Sequence, residues 1–131
     1  MNQAYLWDTN IAVYYLQQQL PPYAGKVLDE IAENTRICFS VITEIELFSW
    51  KTATPFDLDL INLFVDISFL FELEKDIRTK AAELRRIHNL ELPDAIIAAT
   101  AVIHGITLIT NNTADFAGIE NLHLLNPFDP Q

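Results

Sequence analysis

Short apolar runs alternate along this chain with longer stretches in which apolar residues recur every three or four positions. The short runs predict strands at Ala4 to Trp7, Arg36 to Phe39, Ile67 to Phe71, Ile106 to Ile109 and His123 to Leu125. The stretches between them predict helices over Ile11 to Gln18, Tyr23 to Asn34, Glu44 to Trp50, Leu58 to Val65, Glu74 to His88 and Pro93 to His104. Pro21-Pro22 separates the first two helices, because proline lacks the N–H that a helix interior needs. Gly105 stands where a helix C-cap belongs, directly before a strand. Strands that alternate with helices and are apolar on both faces fit a parallel sheet covered on each side. The expected fold class is therefore α/β, a three-layer α/β/α arrangement with a central parallel β-sheet.

Composition narrows this picture without changing it. The 131 residues suit one domain, residues 1–131, with a sizeable core, and no repeat, low-complexity segment or linker divides them. Half the residues are apolar and three are glycine, which marks a globular chain. The single cysteine, Cys38, rules out an internal disulfide and a cysteine-rich zinc site; in Ile37-Cys38-Phe39 it reads as core filler. Met1-Asn2-Gln3 carries no basic region ahead of an apolar stretch, so no signal peptide is expected. The longest apolar stretch, Ile61 to Phe71, is interrupted by Asn62, Asp66 and Ser68, and nothing reaches the ~20 residues of a membrane span. A soluble, cytoplasmic protein without a membrane partner is expected.

The formal net charge of −10 opposes nucleic-acid binding through a general basic surface. The cations are concentrated, however. Five of the eight basic residues lie in the Glu74 to His88 helix. At ~100° per residue, Ile77, Ala81, Leu84 and His88 share one side, and Lys75, Arg78, Arg85 and Arg86 share another. The second group reads either as a solvated face with intrahelical pairs, Glu74 with Arg78 and Asp76 with Lys80, or as a stripe that contacts phosphate.

Four acidic residues fall at positions with chemical meaning. Ligands of open α/β sheets bind outside the carboxyl ends of the strands. Asp8 directly follows the first strand, Glu46 lies in the first turns of the helix after the second, and Asp115 follows the fourth. Asp94 opens the helix ahead of the fourth strand and reaches the same edge if that helix runs antiparallel to the strands. A cluster of carboxylates suits a hard dication such as Mg²⁺ or Mn²⁺. The three histidines, His88, His104 and His123, share no metal-ligand spacing. Each acid also has an ordinary reading. Asp8 could cap the helix starting near Ile11. Thr43 and Glu46 have the spacing of a capping box. Asp94 complements a helix dipole, and Asp115 could be a turn residue.

In these segments the chain resembles a PIN domain, specifically the VapC-type toxin of type II toxin–antitoxin pairs. The resemblance covers almost the whole chain. It rests on four segments in order: Tyr5-Leu6-Trp7-Asp8-Thr9-Asn10, Ser40-Val41-Ile42-Thr43-Glu44-Ile45-Glu46-Leu47, Leu92-Pro93-Asp94-Ala95-Ile96-Ile97-Ala98-Ala99-Thr100-Ala101, and Leu108-Ile109-Thr110-Asn111-Asn112-Thr113-Ala114-Asp115-Phe116. The third segment is the most specific. The resemblance implies a PIN-like fold with metal-binding acids at Asp8, Glu46 and Asp94, a more variable fourth acid at Asp115, and supporting polar groups at Thr110 and Asn112. The family's acid follows the threonine by three residues, which selects Glu46 over Glu44. Trp50 departs from the pattern, since many relatives carry glycine there. The implied activity is a Mg²⁺- or Mn²⁺-dependent endoribonuclease that leaves 5′-phosphate and 3′-hydroxyl ends. The implied partners are an RNA substrate, a cognate antitoxin that wraps the toxin and blocks the site, often with a basic side chain, and a second copy in a homodimer. The apolar patterns of Ile11 to Leu20 and Leu58 to Phe64 could supply such surfaces or pack in the core.

Three other readings compete. A phosphoacceptor receiver domain needs a lysine after the last strands, and no lysine follows Lys80. A non-catalytic PIN-like scaffold that binds metal or RNA is the main alternative. A plain interaction module would leave the four acids unexplained.

Overall fold

The computed structural model describes residues 4–129, so the reading of Met1-Asn2-Gln3 lies outside the described residues. Along the chain run β1 (Tyr5–Trp7), α1 (Thr9–Leu16), α2 (Pro22–Asn34), β2 (Ile37–Ser40), α3 (Val41–Phe48) and α4 (Pro55–Ile67). They are followed by β3 (Phe69–Phe71), α5 (Lys75–Ile87), α6 (Leu92–His104), β4 (Thr107–Ile109), α7 (Thr113–Phe116) and β5 (Leu124–Leu125). The strands form one parallel sheet in the order β3-β2-β1-β4-β5.

Alternation along each strand divides the core in two. Leu6, Cys38 and Leu108 face one side and pack with α5 and α6 through Ile77, Leu84 and Ile97. Trp7, Phe39 and Ile109 face the other and pack with Ile11 of α1, Leu28 of α2, Leu47 of α3 and Phe64 of α4. These are the three layers expected from the apolar pattern. Residues Ala95 to Ala101 of α6 are buried all round. Their alanines let α6 sit close between α5 and the strands β2 and β4. Cys38 is core, as read, and burial pushes its thiol pKa up.

Local chemistry sets several boundaries differently from the sequence reading. α3 begins at Val41, immediately after β2, because Ser40 is the N-cap and accepts from the Ile42 amide at 3.2 Å. The capping box at Thr43 and Glu46 is therefore not formed. A complete capping box occurs instead at Thr54 and Asp57, which starts α4 at Pro55 rather than Leu58. α4 then runs through Ile67, so β3 starts at Phe69. Gly105 ends α6 at φ 64°, the left-handed conformation that glycine adopts without a Cβ clash. No helix among the described residues is long and apolar enough to cross a membrane.

Candidate functional site

The strand order changes direction at β1. The crossovers from β1 through β2 to β3 move one way, and β4 lies on the other side of β1. In such sheets the crevice outside the carboxyl ends of the two strands at that switch is the natural ligand site. Asp8 follows β1 there and Thr110 follows β4. The Asp8 amide donates to the Ile109 carbonyl at 3.0 Å, so the β1–β4 ladder continues into the site. The Thr110 hydroxyl, fully buried, donates to Asp8 Oδ2 at 2.7 Å.

A polar cavity of about 710 Å³ opens at this point. Asp8, Glu46, Asp94 and Asp115 all line it, together with Asn112 and Arg85. Four elements separated in sequence thus bring the four acids to one place. Asp8 occupies the N-cap position of α1 but makes no capping hydrogen bond with its side chain. Burial raises its pKa, against the Thr110 hydroxyl and the Thr9 and Asn10 amides, which favour the charged form, and the Glu46 charge adds to the rise. Glu46, freed from capping, accepts from the Thr9 hydroxyl at 2.6 Å. Thr9 also meets the Thr43 hydroxyl at 2.9 Å. Asp115 lies in a short helix, α7, rather than in a turn, and accepts from Asn112 Nδ2 at 2.8 Å. The Asn112 amide in turn donates to Thr110 Oγ1 at 3.0 Å.

Asp94 differs from the other three. It is the third residue of α6, with Pro93 second rather than first. Among the described residues its carboxylate accepts no hydrogen bond. Burial, then the neighbouring charges of Asp8, Asp115, Glu91 and Glu46, push its pKa up to about 6. Glu91 is a fifth acid on the cavity wall that the sequence reading missed. It lies one helical turn before Asp94, and that spacing was the available signal.

The donor set fits a hard dication. Five carboxylates line one cavity with a single cationic side chain, and four of them add to burial in raising the pKa of the fifth, Asp94. As they stand, no three of the described His, Cys, Asp or Glu side chains converge on one point at ligand distance. Asp8, Glu46, Asp94 and Asp115 are among the carboxylates the cavity gathers, and carboxylate oxygens are the donors that Mg²⁺ and Mn²⁺ prefer.

The basic face of α5 resolves residue by residue. Arg85, in its last turn, lines the carboxylate cavity and is steadied by Nε donating to the Leu90 carbonyl at 3.3 Å. Lys75, Arg78 and Arg86 do not line it. The expected pairs of Glu74 with Arg78 and Asp76 with Lys80 are replaced. Arg78 donates to the Leu73 carbonyl, and Lys80 pairs with Glu83 at 2.6 Å. Ile77, Ala81 and Leu84 form the buried face, as read from the periodicity, while His88 only caps the helix.

A second depression, about 950 Å³ and largely apolar, lies beside the first. Leu16 of α1 and Phe56, Leu60 and Ile61 of α4 line it with Leu47 and Trp50. Part of each apolar pattern noted in the sequence thus faces this groove, and part, including Ile11 and Phe64, packs in the core. Glu46 borders both depressions.

Comparisons with known proteins agree with this architecture. The family model described as PIN domain matches residues 5–122. Ribonuclease VapC2 of Rickettsia felis is 28% identical over 93% of this chain and 96% of its own length. The crystal structure of VapBC2 from Rickettsia felis bound to a promoter DNA fragment matches with TM-score 0.81 and 26% identity, over 95% of this chain and 98% of that one. A toxin–antitoxin complex from Klebsiella pneumoniae matches with TM-score 0.77 and 30% identity, over 97% of this chain and 100% of that one. With the α/β/α sheet, the site at its switch point and these likenesses together, the chain belongs to the PIN-domain family, in its VapC branch.

Proposed function

We propose that this chain, as a single PIN domain, is a Mg²⁺- or Mn²⁺-dependent endoribonuclease that acts as the toxin of a toxin–antitoxin pair. The observation that carries the reading is the gathering of Asp8, Glu46, Asp94 and Asp115 at one cavity outside the β1–β4 switch. Asp8, Glu46 and Asp94 would hold the ion, with Asp115 completing the set directly or through water. A bound dication supplies charge neutralisation at the scissile phosphate and lowers the pKa of attacking water. The chain's own groups do the rest. Thr110 fixes Asp8 and Asn112 fixes Asp115. Arg85 offers the cavity its one guanidinium, whose fork suits a phosphate of the RNA backbone.

The partners in this reading are RNA, a cognate antitoxin and a second copy in a homodimer. The apolar groove along α1 and α4 suits an apolar segment of the antitoxin, and both relatives' structures described above are of toxin–antitoxin assemblies. The cytoplasm, where the substrate resides, is the expected compartment.

The deciding experiment is cleavage of a mixed structured-RNA pool by purified protein with Mg²⁺ or Mn²⁺, beside Asp8→Asn and an EDTA control. Cutting by wild type alone supports the enzyme. Equal cutting by Asp8→Asn sinks the assignment. Metal binding without any cutting, and without growth arrest on expression in bacteria, favours the non-catalytic scaffold.

A further inference from the structure

We propose that Thr9 is a positioning residue of the carboxylate site, holding the Glu46 side chain at the cavity through a hydroxyl relay that starts at Thr43. The inference rests on the reading of Glu46 as a metal ligand. Three atoms carry it: Thr43 Oγ1, Thr9 Oγ1 and Glu46 Oε1, spaced 2.9 Å and 2.6 Å.

The direction of the relay follows from proton counting. A hydroxyl has one proton to give, and an ionised carboxylate can only accept. The Thr9 proton therefore goes to Glu46. The Thr9 oxygen is left to accept, and Thr43 must be the donor to it. Thr43 is fully buried, so its hydroxyl is costly to leave unpaired, and Thr9 supplies its acceptor. Each group thus has one role it can fill, and the Glu46 end is fixed by the buried end.

Glu46 needs such a hold more than its neighbours do. Its chain is one methylene longer than an aspartate, and it borders both the polar cavity and the apolar groove. Without Thr9 nothing among the described hydrogen bonds directs its carboxylate to the cavity side. Thr43 and Glu46 are three residues apart on α3, so their side chains emerge on the same face. Thr9 opens α1 directly after Asp8. The relay therefore sets the position of the Glu46 carboxylate relative to Asp8, the pair that a shared ion would require.

Mn²⁺ titration of the purified full chain, by calorimetry and by the metal-induced rise in Tm, tests this without using catalysis. Thr9→Val keeps the shape and removes the hydroxyl. It should weaken Mn²⁺ binding by ~10- to 100-fold, the range for residues that orient a metal ligand. Thr9→Ser should bind like wild type, and Thr43→Val should be weakened in the same direction but less. In a Glu46→Gln background, Thr9→Val should add no further loss. Wild-type Mn²⁺ affinity in Thr9→Val, with Glu46→Gln weakened, overturns the relay and leaves the Glu46 assignment standing. The relay is equally overturned if Thr9→Val lowers only the metal-free Tm. Equal Mn²⁺ affinity in wild type, Glu46→Gln and Asp8→Asn removes the site reading itself, and the relay with it. If Thr9→Val does not fold, Thr9→Ala takes its place under the same outcomes.

Discussion

The carboxylate cavity and the apolar groove lie on either side of Glu46, and their linings obey different physics. The cavity collects acids whose charges repel one another, and it leaves Asp94 with a pKa near 6. The groove collects Leu16, Trp50, Phe56 and Leu60, which water would leave given an apolar partner. A fold optimised only for its own stability would avoid both. On the proposed reading, the difference teaches that one surface suits a compact, highly charged ligand and the other an extended apolar one.

The largest effect should separate the two regions outright. Asp94→Asn removes a site carboxylate and should lower RNA cleavage by at least ~10²-fold, the scale for losing one group that stabilises developing charge. Its affinity for the cognate antitoxin, measured by titration, should fall far less, because Asp94 does not line the groove. Loss of both would show that the regions are not separable. The converse variant is Trp50→Ala. It should weaken antitoxin binding by ~10-fold or more, as truncated tryptophans at interfaces commonly do. Metal-dependent cleavage by the free toxin should persist, and a variant that loses cleavage instead would break the comparison.

A smaller effect sharpens the cavity itself. Arg85→Glu should weaken RNA binding several-fold and reduce the salt dependence by about one unit of slope. Arg78→Glu, whose side chain is turned to Leu73, should do less. Equal effects would return the whole basic face to the role of a diffuse stripe. The smallest expected effect is on stability. Folded Asp94 takes up its proton near pH 6, whereas an unfolded aspartate waits until about pH 4. The native state therefore binds more protons between these values. The contribution of this group to stability is full below about pH 4 and is lost as pH rises through about 6. Metal-free melting scans should show that decline, and Asp94→Asn should flatten it. The Mn²⁺-induced rise in Tm should fade as pH falls through about 6. A Tm profile identical in the mutant would remove Asp94 from the account.

The layers, the strand positions and the four acids that meet at the cavity are legible in the sequence, because each is encoded locally or in a motif. The α7 helix is only four residues long, too short for a periodic signal. The start of α3 is hidden in the sequence because Thr43 and Glu46 imitate a capping box, while the true cap, Ser40, closes a strand. Their actual partner is Thr9, more than thirty residues away, and no pattern reports a contact at that range. The basic face of α5 was legible as a face, but periodicity fixes angle and not height. At ~1.5 Å per residue, Lys75 and Arg85 stand about 15 Å apart along the axis, and only the latter reaches the cavity.

The hydrogen bond from the Asp8 amide to the Ile109 carbonyl has a consequence for how the site breathes. It makes Asp8 the last rung of a ladder between the central strand and its neighbour, so its amide exchanges with solvent only when the sheet itself opens. Asp115 hangs instead on a four-residue helix, where fraying costs little. Deuterium should therefore enter the two acids' amides on very different clocks, with Asp8 persisting as long as the fold and Asp115 coming and going many times within that lifetime.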